Sequence, residues 1–313
     1  MKPHLRIVFF GTSSFAVPVL GSLLGSVHPV LCVVTRPPMP AGRGRSLTQP
    51  PVYLHIRENA PRVDVHQPAK LTEEFIGILA EMEPDVMVTA SYGAWLPEGL
   101  LGIPRLGVLN VHPSLLPLYR GASPVIRAIL DGREETGVSF MLTDSGWDTG
   151  PVVAVYRESI HPDDTAGTLE DRLARLAGDM ILPTLEGYDG GSLEPEPQKG
   201  EPLYAKKISA GETWLDWKCT ARSLERKVRA FQPSPGARTS HGGRLLKVIA
   251  ARVSNASVPP GEVAVEGGSL TVGCGDGESL RIISLQPASR GVMTAEEFLR
   301  GYRMRTGDRL ERP

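Results

Sequence analysis

The chain predicts an α/β domain built on a mostly parallel sheet, followed by a small C-terminal β-barrel. From Leu5 to about Gly150, short apolar runs at 7–10, 30–34, 86–89, 108–111 and 138–142 alternate with stretches of helical spacing at 16–24, 72–82 and 123–130. Near-continuous apolar strands separated by helices form parallel sheets covered on both faces, a Rossmann-like arrangement. Further on, one helical stretch at 221–231 is followed by β-prone runs at 245–253, 261–265, 269–272 and 280–285, punctuated by Gly and Pro. That spacing suits a small barrel or sandwich, with an OB-like Greek key as the expected form. Between the two patterns lies 186–202, EGYDGGSLEPEPQKGEP, whose Gly, Pro and Glu content suits neither a helix nor a central strand. The expected division is therefore 1–192, a linker over 193–210, and 211–313.

The first strand has one competing reading, because Lys2 and the run Ile7-Val8-Phe9-Phe10 loosely resemble a secretion signal. Gly11-Thr12-Ser13-Ser14 cuts the run after four residues, so a strand is the better expectation. Thr12, Ser13 or Ser14 is then expected to cap the helix that follows. A dinucleotide-binding turn would carry G-x-G-x-x-G at this place, but only its first glycine is present, with Ser13 and Phe15 where the backbone would have to approach a pyrophosphate. This argues against a nicotinamide cofactor.

With 313 residues, 41% hydrophobic and 22% charged, the composition is that of a globular protein. Three widely spaced cysteines without a C-x-x-C pair argue against a disulfide framework or a zinc site, and fit a reducing, cytoplasmic setting. The histidines lack metal-ligand spacing, so no metal is expected. No G-x-S-x-G elbow supports a serine hydrolase. The net charge of −1 conceals an asymmetry: 15 Lys and Arg against 21 Asp and Glu over 1–192, and 19 against 14 over 193–313. A basic rear half beside an acidic front half suggests two different partners.

The chemistry concentrates in LNVHPSLLPLYRG, Leu109 to Gly121, and TDSGWDTG, Thr143 to Gly150. Asn110 and His112 are two residues apart on a strand and share one face, and Pro113 ends that strand. An amide and an imidazole at the carboxyl end of a parallel strand can donate to a developing oxyanion, while a carboxylate can handle protons. Asp148 is the preferred carboxylate. Asp144 is its competitor, and spacing does not separate them. All three groups are expected on the same carboxyl edge of the sheet. Residues 36–52, RPPMPAGRGRSLTQPPV, form a Pro/Gly-rich segment without apolar periodicity, and Arg36, Arg43 and Arg45 within it suit phosphate contact.

At this level of detail the chain resembles the 10-formyltetrahydrofolate-dependent formyltransferases. The resemblance rests on N-x-H-x-S-L-L-P-x-x-R-G at Asn110 to Gly121 and D-x-G-x-D-T-G at Asp144 to Gly150. FFGTSSFAVPVL, PAGRG, SYGAWLP, YAKKI, LDW, RAFQP and LQPASR select the branch that formylates the methionine carried by initiator tRNA. The resemblance implies a catalytic trio of Asn110, His112 and Asp148. It places 10-formyltetrahydrofolate, as formyl donor, against Ser91, Tyr92, Gly93, Leu96, Ser114, Leu115, Leu116 and Pro117. It places tRNA against Arg36, Arg43, Arg45, Lys206 and Lys207, and implies a cytoplasmic monomer without metal or membrane contact. Two departures stand out: QPSPGARTS over 232–240 lacks a tryptophan common there, and Ser13-Ser14 replaces a common Pro-Asp pair. A formyltransferase acting on an amino-sugar nucleotide or glycinamide ribonucleotide, and a tRNA-binding module with a decayed front domain, remain the alternative readings.

Overall fold

A computed structural model describes residues 4–41 and 46–312. Contacts divide the chain into two compact units. The first comprises Met1–Pro124, Glu135–Ser159 and Glu170–Ala205; the second comprises Val125–Glu134, Ile160–Leu169 and Lys206–Pro313. The second unit thus includes two short segments, Val125–Glu134 and Ile160–Leu169, that lie upstream of the single junction at 193–210 that composition suggests.

The first part of the chain runs β1 (Ile7–Gly11), α1 (Ala16–Leu24), β2 (Val30–Val34), β3 (Met39–Ala41), β4 (Ser46–Thr48), α2 (Pro51–Asn59), β5 (Asp64–His66), α3 (Glu73–Glu81), β6 (Val86–Ala90), α4 (Glu98–Leu101), β7 (Val108–His112), α5 (Pro124–Leu130), β8 (Glu135–Leu142), β9 (Val152–Ser159) and α6 (Ala166–Asp189). Seven strands form one sheet in the order β5-β2-β1-β6-β7-β8-β9. Pairing is parallel from β5 to β7 and antiparallel at β7–β8 and β8–β9. All residues of β1 and β6 are buried, as the unbroken apolar runs require of strands covered on both faces. One side of the sheet packs Val8, Phe10, Val34 and Met87 against Leu79 and Leu100. On α1, Ala16, Val19, Leu20 and Leu23 are the buried stripe. The Thr72 hydroxyl accepts from the Phe75 amide to start α3.

Four expectations are corrected. Neither Thr12, Ser13 nor Ser14 caps α1, whose N-cap is Phe15 without a side-chain bond. Thr12 Oγ1 donates instead to the Tyr92 carbonyl at 2.7 Å and Ser13 Oγ to Ser91 Oγ at 2.8 Å, tying the loop after β1 to the loop after β6. The segment 36–52 is not uniformly irregular: β3 and β4 pair as an antiparallel ribbon and α2 starts at Pro51. Arg43 and Arg45 lie outside the described residues. Next, α6 continues to Asp189, into the Gly/Pro/Glu-rich stretch that composition marks as linker. Its buried positions Leu169, Leu173, Ala177, Ile181 and Leu185 follow helical spacing, but Gly167, Gly178 and Pro183 obscure the pattern. Gly178 has a packing reason, since a Cβ there would lie 2.9 Å from the Pro18 carbonyl oxygen. Finally, because β8 is antiparallel, the loop after it leaves at the level of Leu109 rather than from the carboxyl edge.

The second unit carries α7 (Ala221–Ala230), β10 (Ala237–His241), β11 (Arg244–Ser254), β12 (Val263–Glu266), β13 (Ser269–Gly273), β14 (Ser279–Pro287), β15 (Met293–Thr294) and α8 (Ala295–Gly301). The antiparallel order is β10-β11-β14-β13-β12, with β15 on β14. Residues 308–311 join the two outer strands. The Val263 amide donates to the Asp308 carbonyl and Leu310 to Gly261, while Glu311 and Ser240 exchange amide bonds at 2.9 Å. The ends of the sheet are thereby linked into a barrel, which removes its open edges. Val248, Val263, Leu270, Val272, Leu280, Ile282 and Leu285 are buried within this unit. The amphipathic α7 buries Leu224 and Val228. β10, ARTSH, has no apolar alternation; Thr239 is held by the Trp217 indole at 3.2 Å and by the Glu311 carbonyl at 3.2 Å.

The packing makes two stability effects measurable. Glu212 accepts from Arg127 at 2.6 Å and caps the turn at Ser209, and these bonds pull its carboxyl down to about 2. A carboxyl depressed in the folded state stabilises fully above its ordinary value of 4.5, and that contribution disappears as pH falls toward 2. Glu212→Gln should therefore lower the melting temperature at neutral pH by an amount that shrinks progressively below pH 4.5; a difference independent of pH would contradict this assignment. At Gly150 a Cβ would stand 1.8 Å from the Leu142 carbonyl oxygen. Gly150→Ala should cost on the order of 1–3 kcal/mol in a denaturant titration, and wild-type stability would show that the loop yields freely.

Candidate active site

β7 places Asn110 and His112 on one face, two residues apart. The loop after β8 turns back so that Asp148 meets them. Asn110 Nδ2 donates to Asp148 Oδ1 at 3.3 Å, and the Gly121 amide donates to Asp148 Oδ2 at 2.8 Å. His112 Nε2 lies 2.9 Å from the Tyr119 carbonyl oxygen, which can only accept, so this nitrogen carries a proton. Nδ1 then faces Asp148 Oδ2 at 3.8 Å. That distance is too long for a direct hydrogen bond. The contact that holds the ring is thus the one to the Tyr119 carbonyl.

Backbone conformation supports the placement. Asp148 has φ +53° and Tyr119 φ +61°, both left-handed. Asp tolerates this region through its short polar side chain, whereas Tyr adopts it at a cost of about 1 kcal/mol or more. At Tyr119 the turn aims a carbonyl at His112. Asp144 acts within its own loop, where Oδ1 accepts from the Gly146 amide at 3.0 Å and from Thr149 Oγ1 at 2.7 Å, closing the turn that carries Asp148. Of the two carboxylates, Asp148 is the one brought to Asn110 and His112.

Gln198 is a residue that sequence reasoning misses. It lies in the stretch that composition marks as linker, where a lone amide among Gly, Pro and Glu gives no signal. Its Nε2 donates to the carbonyls of Asp148 and Gly150 at 2.9 and 2.8 Å, and its Oε1 accepts from Arg120 Nε and a terminal guanidinium nitrogen at 3.0 and 2.7 Å. Both ends of the amide are engaged, so the Asp148 turn is fastened to the chain 50 residues away. Ser139 is similar: its buried hydroxyl donates to the Ser114 carbonyl at 2.7 Å and accepts from the Leu116 amide at 3.1 Å. Trp95 and Trp147 also escape a reading of motifs alone. They are 51% and 58% exposed, with ring centroids 5.7 Å apart, in the two loops that carry SYGAWLP and Asp148.

The other expected residues separate by accessibility. Ser91 and Gly93 are exposed, whereas Tyr92 and Leu96 belong to the apolar core, leaving mainly their backbones to border a ligand. Burial pushes the Tyr92 hydroxyl above its ordinary value, against the pull of the nearby Arg36 charge. Leu115, Leu116 and Pro117 are half-buried and Ser114 is buried, its hydroxyl donating to the Leu118 carbonyl at 2.6 Å. Arg36 is half-buried just after β2 and reaches the Ala69 carbonyl at 3.5 Å. Lys206 and Lys207 are exposed in the second unit. Cys32 and Cys274 are buried thiols pushed up to about 12, which makes them poor nucleophiles. Among the described residues no group of His, Cys, Asp and Glu could hold a metal ion, and no helix is long and apolar enough to cross a membrane.

A carboxamide, a buried imidazole and a carboxylate around one point supply oxyanion donors and a proton acceptor, the needs of acyl transfer to an amine. Comparison with known proteins agrees with this chemistry. Residues 5–185 match the family model Formyl transferase, and 207–303 match Formyl transferase, C-terminal domain. A methionyl-tRNA formyltransferase of Halorhodospira halophila is 44% identical over 98% of this chain and 99% of its own. One from Myxococcus xanthus is 44% identical over 96% of each. HypX from Aquifex aeolicus, solved with tetrahydrofolic acid, shares the fold with a TM-score of 0.65 at 20% identity, covering 95% of this chain and 47% of its own. The chain belongs to the formyl transferase family, on its methionyl-tRNA formyltransferase branch.

Proposed function

We propose that the chain moves the formyl group of 10-formyltetrahydrofolate to the α-amino group of methionine on charged initiator tRNA, with Asn110, His112 and Asp148 as the reacting groups. The observation that carries the assignment of residues is the shared carboxylate of Asp148, held by Asn110 at 3.3 Å and Gly121 at 2.8 Å and lying 3.8 Å from His112. The free amine attacks the formyl carbon, and the carbonyl oxygen gains negative charge. Asn110 Nδ2 and a protonated Nδ1 of His112 are the donors able to meet that charge, and the low exposure of the site strengthens both. Asp148 accepts the proton that the attacking nitrogen must shed, directly or through water. Expulsion of the folate nitrogen then needs a proton in return, which the imidazolium can give.

Exposed Ser91 and Gly93 and half-buried Leu115, Leu116 and Pro117 fit a border for the folate, and Trp95 and Trp147 offer an aromatic face beside Asp148 for a flat ring. Arg36, Arg43, Arg45, Lys206 and Lys207 supply the positive charge for tRNA phosphates, with the barrel as a second tRNA platform. The division into a catalytic domain over 1–192, a linker over 193–210 and a tRNA-binding domain over 211–313 is the corresponding functional map. Work as a cytoplasmic monomer is the setting inferred from the family resemblance and the free cysteines.

The reading is tested by transfer of labelled formyl from 10-formyltetrahydrofolate to methionine esterified on initiator tRNA, with an amino-sugar nucleotide run beside it. Label on the methionyl ester is expected; label on the sugar alone would assign the chain to the sugar-modifying enzymes. Asn110→Ala and His112→Ala should each raise the barrier by about 2.7–4 kcal/mol, and near-normal turnover of either would remove it from the reacting set. Asn adopts left-handed backbone as readily as Asp, so Asp148→Asn isolates the charge and should lose more activity than Asp144→Asn. The opposite ranking would mean that Asp144 is the reacting carboxylate.

Gln198 is assigned a positioning role. Gln198→Ala should reduce kcat about ten-fold, roughly 1.4 kcal/mol, with the KM for folate and the melting temperature near wild type. A fall in Tm that accounts for the lost activity would reduce Gln198 to a structural tie.

A further inference from the structure

The open surface of the second unit holds a cavity of about 700 Å³ that the formyl-transfer chemistry does not use. It falls within the size range of small-ligand sites. Its floor is apolar, with Leu246 and Phe298 almost fully buried. Tyr302, half-buried, lies on Phe298 with ring centroids 4.4 Å apart and planes 15° from parallel, so its ring is held in a fixed plane where it lines the cavity. Around this aromatic wall stand Arg244, Arg290 and Arg303, all exposed. None has a side-chain hydrogen bond or ion pair among the described residues, and no carboxylate lines the cavity. Asp308, on the neighbouring segment, is engaged by His241 at 3.2 Å.

The two elements that form the rim are specifically shaped. The turn between β10 and β11 is Gly242-Gly243, with φ +52° and +73°, and a Cβ at either would meet nothing within 4 Å, so the lip there is bare backbone open to approach. The LQPASR segment, Leu285 to Arg290, adds Pro287, Ala288 and Arg290 to the lining. There Ser289 has φ +62° and Gln286 Nε2 donates to the Arg290 carbonyl at 2.8 Å, which fixes the turn that presents Arg290.

An oriented aromatic ring, an apolar floor and unpaired guanidinium groups without opposing carboxylates are complementary to a nucleotide: a flat base to stack and a phosphate to pair. We infer that this cavity is a nucleotide-binding pocket that receives one unstacked nucleotide of the tRNA substrate, its base against Tyr302 and its backbone phosphates against Arg244, Arg290 and Arg303. The inference rests on the tRNA-directed reading above. It adds a defined aromatic site to a platform otherwise assigned by charge alone. A free mononucleotide has the same chemistry, and the test separates the two.

Binding of uncharged initiator tRNA to the full-length protein is measured by fluorescence anisotropy over a range of salt concentrations, with AMP titrated separately. Tyr302→Leu keeps apolar cover and removes the π-face; it should weaken tRNA binding about ten-fold, while Tyr302→Phe keeps wild-type affinity. The triple variant Arg244→Gln, Arg290→Gln, Arg303→Gln should flatten the slope of log affinity against log salt by about one for each arginine that meets a phosphate. The KM for 10-formyltetrahydrofolate should stay unchanged in all of them. Undiminished tRNA binding in both Tyr302→Leu and the triple variant would overturn the inference. So would AMP binding that these variants lose while tRNA binding persists, since the pocket would then serve a free nucleotide. Because uncharged tRNA is bound without turnover, a wild-type protein that fails to formylate would refute the functional reading without altering this test.

Discussion

The arrangement depends on where one carboxylate is held. Asp148 sits in a left-handed turn of a loop that leaves an antiparallel strand, and it receives one hydrogen bond from Asn110 on β7 and another from the Gly121 amide. Only 17% exposed, its carboxylate has these two donors in place of much of the water it loses. The loop around it is built to keep it there: Asp144 closes the turn from inside, Gly150 admits the Leu142 carbonyl, and Gln198 clamps both ends from a distant part of the chain. Once Asp148 is fixed, the partner of His112 Nδ1 is fixed as well.

The imidazole is constrained by a second, independent device. The chain after β7 turns sharply, through Pro113, the Ser114 and Ser139 hydroxyls and the left-handed Tyr119, and ends with a carbonyl 2.9 Å from His112 Nε2. One ring nitrogen is thereby committed to structure, and the other is left toward the carboxylate and the chemistry. In the roles proposed for them, Asn110, His112 and Asp148 are placed in advance and need little reorganisation when charge develops.

Much of this is legible in the sequence because the relevant signals are local. The apolar runs of β1, β2 and β6, the spacing of Asn110 and His112, and Pro113 as a strand stop each express a short-range rule. What stays hidden depends on pairing between distant segments. Nothing in 135–142 indicates that β8 reverses direction, so the route by which Asp148 reaches Asn110 cannot be read from the residues. Gln198 gives no signal because its partners are backbone carbonyls, which no sequence pattern marks. The polar β10 escapes notice since its buried hydroxyls are satisfied by residue 311, and α6 is hidden by glycines and a proline that interrupt its pattern. Thr12 and Ser13 have the local signature of caps, while their actual bonds run to the loop after β6.

Tyr119 commits one nitrogen of His112, so that the other faces Asp148. Nitrogen NMR of the imidazole side chains in the unliganded protein measures this directly, because the two ring nitrogens report their protonation separately. Neutral His112 should carry its proton on Nε2, the nitrogen that meets the Tyr119 carbonyl, and none on Nδ1. A neutral ring protonated on Nδ1 could not donate to Tyr119 and would overturn this assignment of the two nitrogens.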